Sequence, residues 1–457
     1  MNVGQVSRLP RAGRETCLTI AFVFAAYILC PPFTSFDSYW TVPTALALIG
    51  HGTTAVDDYV ASAPPGARYA VECVPPHATG VAYNLADGCP GGHWYNFYPV
   101  GVPLLALPLV FLVKMGTAAA AFLVPRAATL AAHPVLAAFL GGDLAAGHAV
   151  VELFCGAVFG AITVWLQYRI AALFLARRAA LLVALIFAFG TSEWSVASRN
   201  LYQHGPSLLL LSLALYLILR AREEPSRISY AAFPLALSFV VRPSNCISVA
   251  ALTVYVAIHY RAHLMRFLLW AVPVAAPFLA YNLVTRHSLF SKYYNAGIGM
   301  HYPLLAGYAM NLFSPSRGLL IFTPIVLFSF VGMVLAWRAR WCFPLTPYLV
   351  AIVIVHSLFI AIYWPGHCYG PRYFTDMLHL FVFFLVPIVL YWPKLPVRAR
   401  PAAAVLFLLL AAWGVFTHGR GATSVAASQW NVEPANVDQA QWRVWDWSDP
   451  QFLRGLK

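Results

Sequence analysis

The stretch Pro32-Phe33-Thr34-Ser35-Phe36-Asp37-Ser38-Tyr39-Trp40 lies where the first apolar run of the chain, residues 16–33, comes to its end. Asp37 is a lone carboxylate there, with aromatic residues on both sides and a long polar segment after it. A carboxylate at the end of a membrane span can face water while its aromatic neighbours lie at the lipid interface. We therefore predict that Asp37 is the chemical centre. The alternative is that it caps an amphipathic helix over residues 38–49.

The composition around this stretch is that of a polytopic membrane protein. The 457 residues are 61% hydrophobic and only 10% charged, and the mean hydropathy is +0.71. A soluble domain exposes far more charge. The net charge of +13 comes from arginines that mostly separate apolar runs, so it indicates cytoplasmic loops and no nucleic-acid partner.

Apolar runs long enough to cross a membrane predict about eleven transmembrane helices. Basic clusters between alternate runs predict cytoplasmic loops, a cytoplasmic N-terminus over residues 1–15, and an external tail over residues 418–457. The runs are residues 16–33, 148–168, 179–195, 207–221, 264–284, 318–337, 343–363, 376–392 and 401–417, with a divided pair in 229–260 that breaks at Arg242-Pro243-Ser244-Asn245.

Residues 34–147 are predicted to form one long external loop. Within it, residues 98–124 are apolar but interrupted by three prolines. An odd number of crossings must separate residues 34–97 outside from the basic cluster at 169–178 inside, and one crossing is simpler than three. We therefore predict that residues 98–124 lie in the outer interface or re-enter from outside. A disulfide between Cys73 and Cys89 is one alternative in this loop, and two free thiols are the other.

Four arginines occupy predicted outer ends of spans, where positive-inside statistics disfavour them. Their planar donor groups suit phosphate oxygens, so the sequence predicts an outward cavity that binds a phosphate. The alternative is that they reach lipid headgroups or pair with Glu193 and Asp376. The predicted phosphate-binding residues are Arg199, Arg242, Arg317 and Arg372, and the predicted cavity residues are Trp40, Tyr98, His204, Tyr293 and Tyr369.

The sequence does not favour a metal site or a second pair of functional carboxylates. The histidines are scattered without HxxH or HExxH spacing, so we predict no metal and no cofactor. Asp57 and Asp58 are more typical of a solvated turn than of a functional pair.

The features that carry a family resemblance extend over residues 16–260. They are Asp37 directly after the first span, the long external loop, Tyr95-Asn96-Phe97-Tyr98-Pro99-Val100-Gly101-Val102-Pro103-Leu104, Thr191-Ser192-Glu193-Trp194-Ser195 with Arg199, Gln203-His204-Gly205-Pro206, and the Arg242-Pro243 break. In this layout the chain resembles the GT-C superfamily of membrane glycosyltransferases. Within this superfamily the layout resembles the protein O-mannosyltransferases and the lipid A aminoarabinose transferase.

The resemblance implies an all-α integral membrane protein, a GT-C-type multi-span bundle with a long first external loop. It also implies a polyprenyl-phosphate-linked sugar donor, transfer on the external face, and Asp37 as the acidic residue after the first span. The family's Asp-Glu pair is here Asp37-Ser38, which puts a two-carboxylate or metal-assisted version in doubt. Its Lys-Pro-Pro-Leu-like motif corresponds to Tyr98-Pro99-Val100-Gly101, so Lys114 or the arginines must supply the positive charge.

The residue inventory agrees with that chemistry. A polyprenyl phosphate leaves as a stabilised anion, so one base for the acceptor hydroxyl and cations for the phosphate suffice. We expect an inverting glycosyltransferase of the inner (plasma) membrane, with its active site facing the periplasm or exterior. The expected partners are the lipid-linked sugar, membrane lipid, and a glycan, lipid or protein acceptor. The alternatives are a transporter or lipid-sugar flippase, and a non-catalytic partner of a cell-envelope complex.

The external tail is predicted to fold back over the cavity. It carries four tryptophans, and Trp442-Arg443-Val444-Trp445-Asp446-Trp447 in an extended strand would put Arg443, Trp445 and Trp447 on one side. Such a face suits stacking on a sugar or docking on residues 34–97. The alternative is that the rings rest on the bilayer surface.

Overall fold

The computed structural model covers the 457-residue chain and describes residues 14–33, 35–76, 88–123, 134–296 and 302–456. Most of the predicted cytoplasmic N-terminus, residues 1–13, lies outside these ranges. In the described ranges the α-helices are α1 (Arg14–Ile28), α2 (Thr41–His51), α3 (Asp57–Val60), α4 (Gly101–Leu123), α5 (Pro134–Leu140), α6 (His148–Ala171), α7 (Arg177–Phe189), α8 (His204–Arg220), α9 (Ala232–Val241), α10 (Cys246–His259), α11 (Leu264–Arg286), α12 (Lys292–Ala296), α13 (Leu304–Phe313), α14 (Leu319–Phe322), α15 (Val326–Arg338), α16 (Leu345–Ala361), α17 (Leu378–Phe383), α18 (Leu385–Tyr391), α19 (Arg400–Thr423) and α20 (Val425–Gln429).

Helices lie at every apolar run that the sequence predicts to span. Among the described residues, five are long and apolar enough to cross a membrane: Gly101–Ala119, His148–Ala171, Arg261–Arg286, Arg372–Lys394 and Val397–Thr423. The other runs form shorter apolar helices or broken pairs. A multi-pass helical membrane protein is therefore supported, and the number of about eleven spans stays a prediction.

The break between α9 and α10 falls where the sequence predicts it. Proline disfavours a helical backbone in the residue before it, and Arg242 is extended, with φ −151° and ψ 115°. A 3-10 turn over Pro243–Asn245 then starts α10. The break keeps the Arg242 side chain at the end of α9.

Helix α6 lies in the centre of the bundle and packs against α1, α7 and α8. Gly160 allows the closest approach, because a Cβ there would lie 2.7 Å from Glu193 Oε1 and 2.9 Å from the Tyr27 ring. Glu193 opens a π-helical turn, Glu193–Ala197, that follows α7. This packing holds the segment before α8 against the end of α6 that lies near Asp37.

The external loop is anchored to the bundle by a short hairpin and a buried ion pair. Strands β1 (Val71–Val74) and β2 (His93–Asn96) pair antiparallel, and a disulfide joins Cys73 to Cys89. Arg286, at the end of α11, pairs with Glu72 and donates to the carbonyl of Asn96 at 2.9 Å. The loop is thus held against α11 by charge as well as by packing.

Helix α4 occupies the predicted interfacial segment, although its length alone would allow it to span. Gly101 at its start lies against Val241, at the end of α9. Further along, Thr117 shares a cavity of about 400 Å³ with Ile28 and Phe154. Ile28 ends α1 and Val241 ends α9, and Phe154 lies two residues after Glu152, which binds Ser38 beside Asp37. These contacts favour a helix that lies across one end of the bundle, and its interfacial position stays a prediction.

The tail after α19 folds into short helices and turns against the segment before Arg372. The prediction of an extended strand over residues 442–447 is wrong, because Gln441–Trp445 is a 3-10 helix. The cause is Arg443, which is buried and donates to the carbonyls of Trp430, Glu433 and Ala435. Trp442 and Trp447 remain 67% and 59% exposed. Arg443 and the exposed tryptophans therefore do not share a face.

The remaining short helical turns complete the described chain. They are the 3-10 turns Pro65–Ala70, Pro225–Ala231, Arg261–His263, Arg372–Met377, Trp392–Lys394, Val397–Ala399 and Gln451–Leu453.

Candidate functional site

The Asp37 carboxylate lies in the turn between α1 and α2 and is held by three donors. Its Oδ2 lies 2.8 Å from Arg372 Nη1, and its Oδ1 accepts hydrogen bonds from the hydroxyls of Tyr98, at 2.9 Å, and Tyr69. Helix α2 begins only at Thr41, and its N-terminus has no side-chain cap. Asp37 is therefore not a cap of α2, and its carboxylate joins the external loop to the turn that precedes α17.

The charge state of Asp37 follows from these neighbours. Burial raises the pKa of Asp37, but the charge of Arg372 and the hydrogen bonds from Tyr69 and Tyr98 outweigh it, so the pKa lies below its ordinary value. Burial and the Asp37 charge raise the pKa of both tyrosines, so each keeps its proton and donates. Asp37 is thus an ionised carboxylate at neutral pH that can accept a proton.

Arg372 begins the 3-10 turn Arg372–Met377, after Gly370 in the left-handed region at φ +54°. Besides binding Asp37, its Nη2 donates to the carbonyl of Pro365 at 3.0 Å. The guanidinium also lies over the ring of Tyr202, 5.4 Å from its centroid. The buried Nε of Arg372 has no hydrogen-bond acceptor among the described residues.

One turn further on, Asp376 forms a second ion pair. Its side chain is fully buried, with Oδ2 2.7 Å from Arg242 Nε and Oδ1 3.1 Å from His204 Nδ1. The predicted alternative, in which an outer arginine pairs with Asp376, is therefore correct for Arg242. Arg372 and Asp376, on successive turns of one segment, therefore each contribute one partner to an ion pair.

Tyr293 connects the two pairs. Its hydroxyl donates to Gln203 Oε1 at 3.0 Å, and Gln203 also accepts from Arg242 at 3.3 Å. The Tyr293 ring lies 5.2 Å, centroid to centroid, from that of Tyr98. The structure thus brings together Asp37, Tyr98, Arg372, Tyr293, Arg242 and His204 of the predicted site residues. We call this set, with Tyr69, Tyr202, Gln203 and Asp376, the Asp37–Asp376 cluster.

Arg199 and Arg317 are placed outside that cluster. Arg199 is buried and donates to the carbonyl of Pro31, just before the Asp37 turn. Arg317 is buried and bound to the tail, since it donates to Gln451 at 2.9 Å and Asn431 at 2.8 Å. Arg317 therefore docks the tail, and its predicted contact with a phosphate stays a prediction.

Trp40 and Tyr369 also lie outside the cluster. Trp40 is buried in the core of the external loop, and its Nε1 donates to the carbonyl of Ala67 at 2.8 Å. The Tyr369 hydroxyl donates to the carbonyl of Thr417 at 2.5 Å, and its ring packs on Phe322. Both aromatic side chains serve packing in this structure.

Sequence reasoning missed several buried polar residues near the site. Glu152 accepts from Ser38 at 2.5 Å and from the backbone of Leu201 at 3.1 Å, and a carboxylate inside an apolar run was a visible signal. Arg286 is a fifth arginine near the outer end of a predicted span, so the rule that selected the other four also fits it. Tyr69 carries no comparable signal, because it lies in irregular loop sequence.

Two further expectations concern acidic groups. Glu193 is buried, and neither of its oxygens has a hydrogen-bond partner among the described residues, so the predicted pairing with an arginine does not occur there. In the same described part of the chain, no three His, Cys, Asp or Glu side chains group closely enough to hold a metal ion.

The family comparison agrees with this architecture. Residues 132–284 match the model of the Dolichyl-phosphate-mannose-protein mannosyltransferase family, which belongs to the GT-C superfamily. The match confirms the predicted GT-C resemblance over that third of the chain, which contains Arg242 and His204 but neither Asp37 nor Arg372. The chain thus combines apolar helices with a match, over a third of its length, to a family of GT-C membrane glycosyltransferases. No curated protein and no solved structure matches the chain at a significant level.

Proposed function

We propose that the protein transfers a sugar from a polyprenyl-phosphate-linked donor to an acceptor hydroxyl on the extracytoplasmic face of the membrane. The observation that carries this proposal is the pairing of Asp37 with Arg372, 2.8 Å apart, between the external loop and the bundle. It supplies a base for the acceptor and a cation for the leaving phosphate at one place.

The bond changes follow from those two groups. The acceptor hydroxyl oxygen attacks the anomeric carbon, and the bond between that carbon and the phosphate oxygen breaks. The phosphate leaves with the bonding electrons, and the acceptor proton passes to Asp37. Because attack occurs opposite to the leaving phosphate, the anomeric configuration inverts. A phosphate needs no general acid to leave, so one carboxylate is enough, unlike in glycosidases.

Buried donors near the ion pair support phosphate binding. Arg372 Nε and Gln203 Nε2 are buried and have no acceptor among the described residues. An unmatched buried donor costs about 1–3 kcal/mol, and an anionic ligand removes that cost. Arg372 is therefore the principal phosphate residue of the proposal. Arg242 contributes at longer range, because its charge is already matched by Asp376.

The face of the membrane follows from the external loop. Disulfides persist in oxidising compartments, and Cys73–Cys89 lies in the same loop as the two tyrosines that bind Asp37. We therefore propose that the Asp37–Asp376 cluster opens to the periplasm or exterior. The protein would then reside in the inner (plasma) membrane and use its lipid-linked donor and a glycan, lipid or protein acceptor from outside.

Purified protein in lipid nanodiscs tests the proposal. A panel of polyprenyl-phosphate sugars is incubated with candidate acceptors, and released polyprenyl phosphate and the anomeric configuration of the product are measured. We expect release that depends on acceptor, an inverted product, and strong loss of both in Arg372→Ala. If no donor in the panel releases polyprenyl phosphate, while liposomes show transbilayer movement of unchanged donor, the flippase alternative replaces this proposal.

A further inference from the structure

We propose that donor binding exchanges the partner of Arg372. The donor phosphate takes the guanidinium from Asp37, and this exchange frees Asp37 Oδ2 to accept the acceptor proton. Tyr69 and Tyr98 hold the other oxygen throughout and act as positioning residues. The inference rests on the proposed function and adds an order to it: the base is available only after the donor is bound.

The hydrogen bonds to Asp37 show which of its oxygens can act as the base. Oδ1 accepts from Tyr98 at 2.9 Å and also from Tyr69, while Oδ2 lies 2.8 Å from Arg372 Nη1. A general base must lie within about 2.6–3.2 Å, heavy atom to heavy atom, of the group whose proton it takes. Each oxygen of an ionised carboxylate has two lone pairs. Oδ1 uses both on the two tyrosines, whereas Oδ2 uses one on Arg372, so Oδ2 is the oxygen that the acceptor hydroxyl can reach. The positive charge of Arg372 limits the basicity of Oδ2 until the exchange.

Arg372 can make this change without leaving its place. Its Nη2 is fixed by the carbonyl of Pro365 at 3.0 Å, and its guanidinium lies over the rings of Tyr202 and Tyr373, 5.4 and 5.5 Å from their centroids. Its buried Nε has no acceptor among the described residues. Nε thus offers a bond to a phosphate oxygen at the edge of the guanidinium away from Nη1, so a phosphate can bind Arg372 before the Asp37 pair opens.

Charge balance makes the exchange competitive. The donor phosphate and Asp37 are both anions and compete for Arg372, because Arg242, the other arginine of the Asp37–Asp376 cluster as described, is already paired with Asp376. Each anion therefore weakens the hold of the other on Arg372. The phosphate would pull Arg372 away, and the lone Asp37 carboxylate would become the stronger base.

Comparison of the two ion pairs shows which one a ligand can reach. The Asp37 side chain is 28% exposed, whereas the Asp376 side chain is fully buried. Asp376 also holds His204 in addition to Arg242. The Asp376 pair is thus a fixed support, and the Asp37 pair is the one that can open.

The test measures binding of polyprenyl phosphate, the leaving group of the proposed reaction, to purified protein by titration calorimetry in detergent. Asp37→Asn removes the competing charge and keeps the side-chain shape, so we expect its Kd to fall roughly three- to thirty-fold, within the usual coupling between neighbouring charges. Asp58→Asn is the matched control, because Asp58 lies in the same loop with its side chain 71% exposed. Its Kd should not change.

Tyr98→Phe gives a second readout of opposite sign. It removes one donor from Oδ1, so Asp37 should hold Arg372 more firmly and the Kd for polyprenyl phosphate should rise about two- to fivefold. A merely structural role of the two residues would shift both variants in the same direction. Opposite shifts therefore support the exchange, and shifts in one direction overturn it.

Two further outcomes separate this inference from the proposed function. If Asp37→Asn leaves the Kd unchanged or raises it, while Arg372→Ala abolishes binding, the exchange is overturned and the phosphate site stands. If Arg372→Ala also leaves the Kd unchanged, both ideas fail. Neutral polyprenol is titrated in parallel. If Asp37→Asn lowered the Kd for neutral polyprenol by the same factor, the effect would lie at the lipid chain, and the exchange would be overturned.

Discussion

Replacing Asp376 with asparagine should destabilise the fold strongly. The Asp376 side chain is fully buried, and Arg242 Nε lies 2.7 Å from its Oδ2. Asparagine keeps the shape and a hydrogen bond to His204, but it removes the charge that neutralises Arg242. The Arg242 side chain, only 13% exposed, would then remain in the bundle without a counter-charge.

The size of the effect follows from the burial of the pair. Removing one partner of a buried ion pair costs about 3–5 kcal/mol, because the other charge stays desolvated. The slight exposure of Arg242 lets water reach part of its guanidinium, so we expect a loss near the lower end, about 3 kcal/mol. The free energy of unfolding of a typical domain is only about 5–15 kcal/mol, so such a loss is easily detected.

A double-mutant cycle is the suitable assay. Asp376→Asn, Arg242→Gln and the double variant are unfolded in detergent, and tryptophan fluorescence is followed. Because the double variant buries neither charge, its loss should be smaller than the sum of the single losses by about 2 kcal/mol. Glu224→Gln, which breaks the exposed pair with Arg227, is the control and should leave the unfolding midpoint unchanged. Additive single losses, or a wild-type midpoint in Asp376→Asn, would refute the reasoning.

Three other predictions follow from the site and the fold. Because Arg372 lowers the pKa of Asp37, the carboxylate stays charged as the pH falls, so the acid limb of kcat/KM should lie below the ordinary titration range of an aspartate and move upward in Arg372→Gln; an unmoved limb would contradict this. A cysteine replacing Gly116, in a background without native thiols, should react with an impermeant reagent from outside, and labelling only from the cytoplasm would mean that α4 spans. Deleting residues 425–457 should lower activity while the spans stay folded, because the tail holds the segment whose Pro365 carbonyl binds Arg372; unchanged kinetics toward the acceptor would make the tail only an anchor.

Local sequence predicts the helices well because length and composition decide them. The runs at 148–168 and 264–284 lie within α6 and α11, whose described bounds exceed them by a few residues at most. The break at Arg242 is equally local, since Pro243 sets the backbone of the residue before it. Asp37 could be selected for the same reason, as a lone carboxylate at the end of an apolar run.

The partners of the charged residues could not be predicted in this way. Asp37 and Arg372 are 335 positions apart, and all four outer arginines look alike in sequence. These partners meet only because segments far apart in the sequence pack together. That packing pairs Arg242 with Asp376 and Arg372 with Asp37, and it binds Arg317 to the tail. The prediction of an extended strand over residues 442–447 was wrong for a related reason. The alternation of tryptophan with other residues does not reveal that Arg443 binds backbone carbonyls of its own tail.

The most direct test of the central claim is the turnover of Asp37→Asn with donor and acceptor at saturation. A positioned general base contributes about 10²–10⁴-fold to a rate, so kcat should fall by that factor while bound donor is still detected. Asp58→Asn, measured beside it, should keep the wild-type kcat. Near-normal turnover in Asp37→Asn would contradict the assignment of Asp37 as the base that receives the acceptor proton.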